Sequence, residues 1–109
     1  MNNHTLIHEL KCAQKLFTKK WLLPIIVYLF SGPKFWGELL YYNEGISKKV
    51  LSESLRELQD MDIVKRTVYS KEKVKQVEYS LTPKGHDLQA ILEAMAKWGA
   101  KYMEHNQLN

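Results

Sequence analysis

The sequence predicts a mainly α-helical domain that carries one small β-hairpin. Three observations predict it. Four runs of apolar residues recur at helical spacing between Leu6 and Met61. The pattern then switches to alternation between Ile63 and Leu81. Helical spacing returns after Thr82-Pro83, a pair suited to opening a helix.

Taken in order, Met1 to Thr5 is polar and expected to fray. Leu6, Ile7, Leu10, Ala13, Leu16 and Phe17 predict a first helix over Leu6 to Phe17. Thr18 is a candidate N-cap for a second, Lys19 to Phe30. Pro24 lies inside it and predicts either a kink or a late start, because proline lacks an amide donor. The apolar run Trp21 to Phe30 has 10 residues, against roughly 20 for a membrane span, so it reads as a core helix. Ser31-Gly32-Pro33 is a stop signal. Phe35 to Tyr42 reads as a short helix with Phe35, Trp36, Leu39 and Leu40 inward. Asn43-Glu44-Gly45 is a turn, and Ser47 is placed to cap a helix over Lys48 to Met61.

Ile63, Val64, Thr67, Val68 and Tyr69 are strand formers. Lys71-Glu72-Lys73-Val74-Lys75 reads as a charged connection, and Gln76 to Leu81 as the returning strand. The last helix, opened by Thr82-Pro83, is expected to run to about His105, with Leu88, Ile91, Leu92, Met95, Trp98 and Tyr102 on its apolar side.

With 109 residues and 45% hydrophobic content, one compact domain is expected, spanning 1–109. Such a chain has little room for a deep catalytic cleft, and domains of this size often gain buried area by dimerising. The single cysteine, Cys12, forbids an intrachain disulfide and fits a reducing, cytoplasmic setting. No basic segment followed by an apolar one opens the chain, so no signal peptide is expected. The formal charge of +4 predicts only solubility. Its distribution says more: Asp62 to Lys75 carries five basic and two acidic residues, and Glu9 to Lys20 four basic and one acidic.

A short helix followed by a capped helix is a helix-turn-helix unit, here 35–61, and the basic hairpin after it, 62–82, is a wing. The capped helix has one apolar seam, Val50, Leu51, Leu55, Leu58 and Met61. Opposite it stand Lys48, Lys49, Ser52 and Arg56. Such a face is either solvated, with Glu53 and Glu57 as partners, or it meets DNA. In the second reading Ser47, Lys48, Lys49 and Ser52 lie near the helix start, where a recognition helix reaches bases and phosphates, and Arg56 meets a phosphate. Lys71, Lys73 and Lys75 at the wing tip, and Lys34 at the start of the short helix, are candidates for phosphate contact.

The chain resembles the HxlR-type winged-helix transcriptional regulators, bacterial relatives of the MarR-like group. The resemblance rests on Lys20-Trp21, Gly32-Pro33-Lys34-Phe35, Glu38-Leu39, Gly45-Ile46-Ser47, Val50-Leu51, Leu55-Arg56-Glu57-Leu58, Ile63-Val64-Lys65-Arg66, Val77-Glu78-Tyr79-Ser80-Leu81-Thr82, Leu88 and Trp98-Gly99. It covers roughly Leu10 to Tyr102. The resemblance implies a homodimer bound to double-stranded operator DNA. Its dimer interface would come from an N-terminal arm and helix, 1–17, and a C-terminal helix, 83–105. Many members carry Pro-Pro-Arg before the Val-Glu-Tyr of the wing; here Gln76 takes the arginine position and Lys75 precedes it. Several members sense oxidants or electrophiles through a cysteine near the N-terminus. Counting back from Trp21, that position falls on His8, with Cys12 one turn later.

Cys12 is therefore either a packed small hydrophobe or a redox sensor. His4, His8 and Cys12 share one helical face without a further ligand, and no metal or cofactor is expected. Trp21, Trp36 and Trp98 read as core or dimer interface, whereas Tyr41 and Tyr42 could border an effector site. No nucleophile, base and orienter stand at recognisable spacing and no Gly-rich phosphate loop appears, so an enzyme is not expected. The competing readings are a winged-helix module that docks an acidic protein, and a regulator gated by Cys12 oxidation.

Overall fold

The computed structural model describes residues 1–103. Helix α1 spans Asn3–Ala13. Asn2 caps it: its side-chain oxygen accepts the Thr5 amide at 2.8 Å. The segment expected to fray is thus helical from Asn3, because a polar capping residue leaves no mark on the apolar pattern. The chain then tightens into a 3-10 turn over Gln14–Phe17 instead of continuing the α-helix. Thr18 does not cap the second helix; its hydroxyl donates to the Lys15 carbonyl at 3.0 Å. Helix α2 starts later, at Leu22–Leu29. Pro24 then sits in the first turn, where its missing amide costs no intrahelical bond.

Strand β1 is Lys34–Phe35 and helix α3 is Trp36–Tyr42. Phe35, expected inside the short helix, instead pairs with Glu78 of a later strand. The Glu38 carboxylate accepts the Phe35 amide at 2.9 Å and so fixes the strand-to-helix corner. Helix α4 spans Lys48–Asp60, with the Ser47 hydroxyl oxygen accepting the Val50 amide at 3.1 Å as expected of the cap. Strands β2 (Val64–Lys71) and β3 (Val74–Leu81) form the hairpin, and β1 adds to β3, giving an antiparallel sheet of order β1-β3-β2. The expected charged connection is shorter than its sequence suggested. Lys71, Val74 and Lys75 are in register as strand residues, and only Glu72-Lys73 turns, with Glu72 at φ 58°. Pairing extends because each added rung satisfies backbone groups that a loop would leave to water.

The last helix is divided. Pro83–His86 forms α5 and Leu88–Tyr102 forms α6. Asp87 between them stays right-handed (φ −62°, ψ −19°), so the break is a local change of hydrogen bonding rather than a change of direction. The remainder of the expected helix, to His105, lies outside the described residues.

Leu22, Ile25, Ile26 and Leu29 of α2 meet Leu39 of α3, the Leu51, Leu55 and Leu58 seam of α4, and Ile63, Val64, Tyr79 and Leu81 of the sheet in one core. Each fully buried leucine stabilises by ~1.5–3 kcal/mol. Ser54 joins the buried side of α4, whereas Val50 and Met61 are only half-buried. Helices α1 and α6 bury no residue completely. The radius of gyration is 16.2 Å, against about 13 Å for a compact chain of this length, because these two helices stand out from the core.

The base of α5 is knotted to the end of α4. The Thr82 hydroxyl donates to the Asp62 carbonyl at 2.6 Å, the Thr82 amide to the Ile63 carbonyl at 3.0 Å, and Lys84 Nζ to the Met61 carbonyl at 2.7 Å. The Gly85 amide caps back onto Thr82 Oγ1 at 3.1 Å. A Cβ on Gly85 would stand 2.4 Å from the Ile63 carbonyl oxygen. Gly85→Ala is therefore expected to destabilise the fold by about 1–3 kcal/mol. Gly37→Ala meets nothing within 4 Å and is expected to be neutral or stabilising by up to ~1 kcal/mol. Urea unfolding of both variants checks the contrast.

Candidate nucleic-acid interface

The buried seam of α4 leaves Lys48, Lys49, Ser52 and Arg56 exposed on its other side. Ser47, extended at φ −82° and ψ 157°, starts the helix and leaves its first turn open to solvent. The helix start also concentrates positive partial charge from unsatisfied amides. Lys49 Nζ lies 3.9 Å from Glu53 Oε1, both groups well exposed, an arrangement worth little in water. Glu57 is drawn away from this face by an ion pair with Lys19, which precedes α2. Arg56 thus pairs with neither Glu53 nor Glu57. It lines a cleft with Ser52, Gln59 and Asp60 of α4 and with Arg66 and Tyr79 of the hairpin.

In the hairpin, Lys71, Lys73, Lys75 and Gln76 are all exposed. Lys71 is opposite Val74, Lys75 opposite Ser70, and Gln76 opposite Tyr69. Directly opposed residues share a face and successive ones alternate, so Lys71 and Lys75 leave the ribbon on opposite sides, with Lys73 in the turn. The Tyr69 hydroxyl donates to Glu78 Oε1 at 3.3 Å. The negative charge of Glu78, the hydrogen bond to it and slight desolvation raise the Tyr69 phenol above its usual value near 10.0.

Lys34 is not at the start of the short helix but in β1, paired with Tyr79. Its Nζ donates to Ser31 Oγ and to the Gly32 carbonyl, each at 3.1 Å, and so braces the turn before the helix-turn-helix unit. Cys12 is exposed on α1, with Sγ 4.0 Å from His8 Nε2. Among the described residues no three His, Cys, Asp or Glu side chains converge to hold a metal. Trp21 and Trp36 pack against the core, whereas Trp98 is 60% exposed and meets Tyr102 in a tilted ring contact at 5.7 Å between centroids. Tyr42 stacks on Tyr28 at 5.2 Å and meets the edge of Tyr41 at 5.7 Å, and all three are exposed.

Arg66 is the cleft-lining residue that sequence reasoning passed over. Its signal was its spacing, two residues after the inward Val64 on a strand, which turns it toward α4 rather than to open solvent.

A capped helix-turn-helix followed by a lysine-tipped hairpin in a three-stranded sheet defines a winged helix-turn-helix DNA-binding protein. The chain belongs to the HxlR-like helix-turn-helix family, whose model matches residues 16–107. It is 38% identical over 101 residues to the HTH-type transcriptional regulator YodB of Bacillus subtilis, covering 93% of this chain and 89% of that protein. It is 32% identical over its whole length to YvaP of the same organism, an uncharacterized HTH-type transcriptional regulator covered in full. Among solved structures, the reduced form of YodB superposes with a TM-score of 0.79 at 36% identity, covering 88% of this chain and 93% of that one. The redox regulator HypR in its reduced form superposes at 0.82 with 28% identity, covering 93% and 99%. YodB is also known in diamide-treated and quinone-bound forms. The chain is thus a transcriptional regulator with a DNA-binding fold, not an enzyme, and no helix among its described residues is long and apolar enough to cross a membrane.

Proposed function

We propose that the chain acts as a homodimer that binds operator DNA, with α4 in the major groove and the wing on the adjacent backbone. The observation that carries this reading is the division of α4. One side is spent on the core, and the other presents Lys48, Lys49, Ser52 and Arg56 from a start opened by Ser47. A helix of this width fits the major groove, and its N-terminal half reaches base edges. Lys71, Lys73 and Lys75 neutralise phosphates, and Gln76 adds a neutral donor beside them. Lys34, already engaged by Ser31 and Gly32, contributes by holding the entry turn.

Fluorescence anisotropy tests this on duplexes from upstream of the chain's own gene against scrambled DNA, across a salt series. Selective, steeply salt-dependent binding is expected. Lys49→Ala and Ser52→Ala are expected to weaken operator binding without changing the melting temperature. Replacing Lys71, Lys73 and Lys75 together is expected to flatten the salt slope by about one unit per lost phosphate contact. Normal operator binding by both helix variants would mean that the recognition face is misassigned.

The dimer reading rests on uncovered apolar surface. Leu6, Ile7 and Leu10 of α1 are 45–59% exposed, and Ile91, Met95, Trp98 and Tyr102 of α6 are 48–60% exposed. Exposed apolar helix faces of this kind mark an interface, and two-fold pairing would present two α4 helices to half-sites about one DNA turn apart. Trp98→Asp is expected to shift the protein from dimer to monomer in sedimentation velocity; an unchanged dimer would place the interface elsewhere.

A second reading adds gating by thiol chemistry at Cys12. It is favoured by the exposure of Cys12 beside His8 and by the redox forms known for YodB and HypR. An oxidant or electrophile would then be the effector. Diamide is expected to release DNA, dithiothreitol to restore binding, and Cys12→Ser to abolish both effects; a Cys12→Ser protein that still responds removes the gate.

A further inference from the structure

One sugar–phosphate strand separates the major groove of a duplex from the neighbouring minor groove. A helix in the first and a hairpin on the second straddle that strand, which must pass through the space between them. Here that space is a cleft of about 460 Å³ between α4 and the root of the β2–β3 hairpin. Arg56 stands on the helix wall with Ser52, Gln59 and Asp60; Arg66 stands on the strand wall with Tyr79. Two arginines therefore border one gap from two different elements.

Neither arginine is committed. Among the described residues, no carboxylate lies within 4.0 Å ion-pair distance of either, although Asp60 lines the same cleft. The other two carboxylates of α4 are turned elsewhere, Glu53 to Lys49 and Glu57 to Lys19. Two cations against one anion leave the cleft positive. A guanidinium presents a planar fork of donors that matches the two free oxygens of a phosphodiester. Both arginines are exposed, so the gap is open to a strand passing through it.

We propose that Arg66 and Arg56 clamp the phosphates of the strand that runs between the two grooves, with the Ser52 hydroxyl as a neutral donor beside them. The clamp rests on the DNA-binding reading above. It adds Arg66, a contact outside both the recognition helix and the lysine-bearing tip. A phosphate contact positions the protein but carries no sequence information. Arg66 therefore contributes to affinity on every duplex and to selectivity on none.

The test is anisotropy of the full chain on its selected operator and on scrambled DNA over a salt series, with Arg66→Gln, Arg66→Lys and Lys49→Ala. Arg66→Gln is expected to lose about tenfold on both duplexes and to flatten the salt slope by about one. Arg66→Lys is expected to recover the slope and only part of the affinity, since it restores the charge without the fork; this arm also separates a lost contact from a misfolded variant. Unchanged affinity and slope in Arg66→Gln, on an operator that Lys49→Ala still weakens, would overturn the clamp and leave the DNA reading standing. So would a loss confined to the operator, which would make Arg66 a base reader. A wild-type protein that prefers no duplex would overturn both.

Discussion

Everything outward in this protein depends on which way α4 is rolled. Leu51, Leu55 and Leu58 are almost wholly removed from water against α2, α3 and the sheet. Rotating the helix by one residue would expose a leucine and bury a charge, at a cost of several kcal/mol in each case. The roll is therefore fixed without any contribution from Lys48, Lys49, Ser52 or Arg56. Those side chains are free of packing duties, and their chemistry can vary without disturbing the fold. The same constraint explains the cap. Ser47 must end the turn and begin the helix at one defined residue if the seam is to meet the core in phase.

Electrostatics then sorts the exposed charges. A surface with 16 basic and 12 acidic side chains is nearly balanced, and balance alone favours no partner. What matters is where the acids are held. Lys19 takes Glu57 from one edge of α4, Lys49 sits near Glu53, and Tyr69 binds Glu78 on the solvent side of the wing. Each pairing is weak in water. Together they turn Glu53, Glu57 and Glu78 toward partners other than the two arginines, which share their cleft with Asp60 alone among the acids.

The sequence carried the parts of this structure that obey a period. The seam of α4, its serine cap, the alternation of the hairpin and the Thr82-Pro83 helix start are all set by local rules, and all appear in the fold. What escaped was set by single polar contacts or by tertiary pairing. Asn2 lengthens α1 through one hydrogen bond. Phe35 leaves its helix because β3 offers it a partner in Glu78. The wing loop shrinks to Glu72-Lys73 because Lys71 and Val74 complete a rung. For the site, the exposed lysines and Ser52 could be found from periodicity. Arg66 could not be ranked until the strand placed it across a cleft from Arg56. Lys34 is the converse, a charge placed by sequence in a helix that the fold puts in β1, where two of its three donors reach the preceding turn.

The knot at Thr82 has a mechanical meaning. Side-chain and main-chain donors of Thr82 and Lys84 are all accepted by the carbonyls of residues 61–63, with Gly85 pressed against the Ile63 carbonyl. The two segments must move as one body. Helix α6, about 22 Å long at 1.5 Å per residue, is then a lever with its fulcrum at the exit of α4 and the entry of β2. A torque on its far end cannot be absorbed there by a slack loop. The same junction therefore links α6 to α4 and β2, the two elements that carry Arg56 and Arg66.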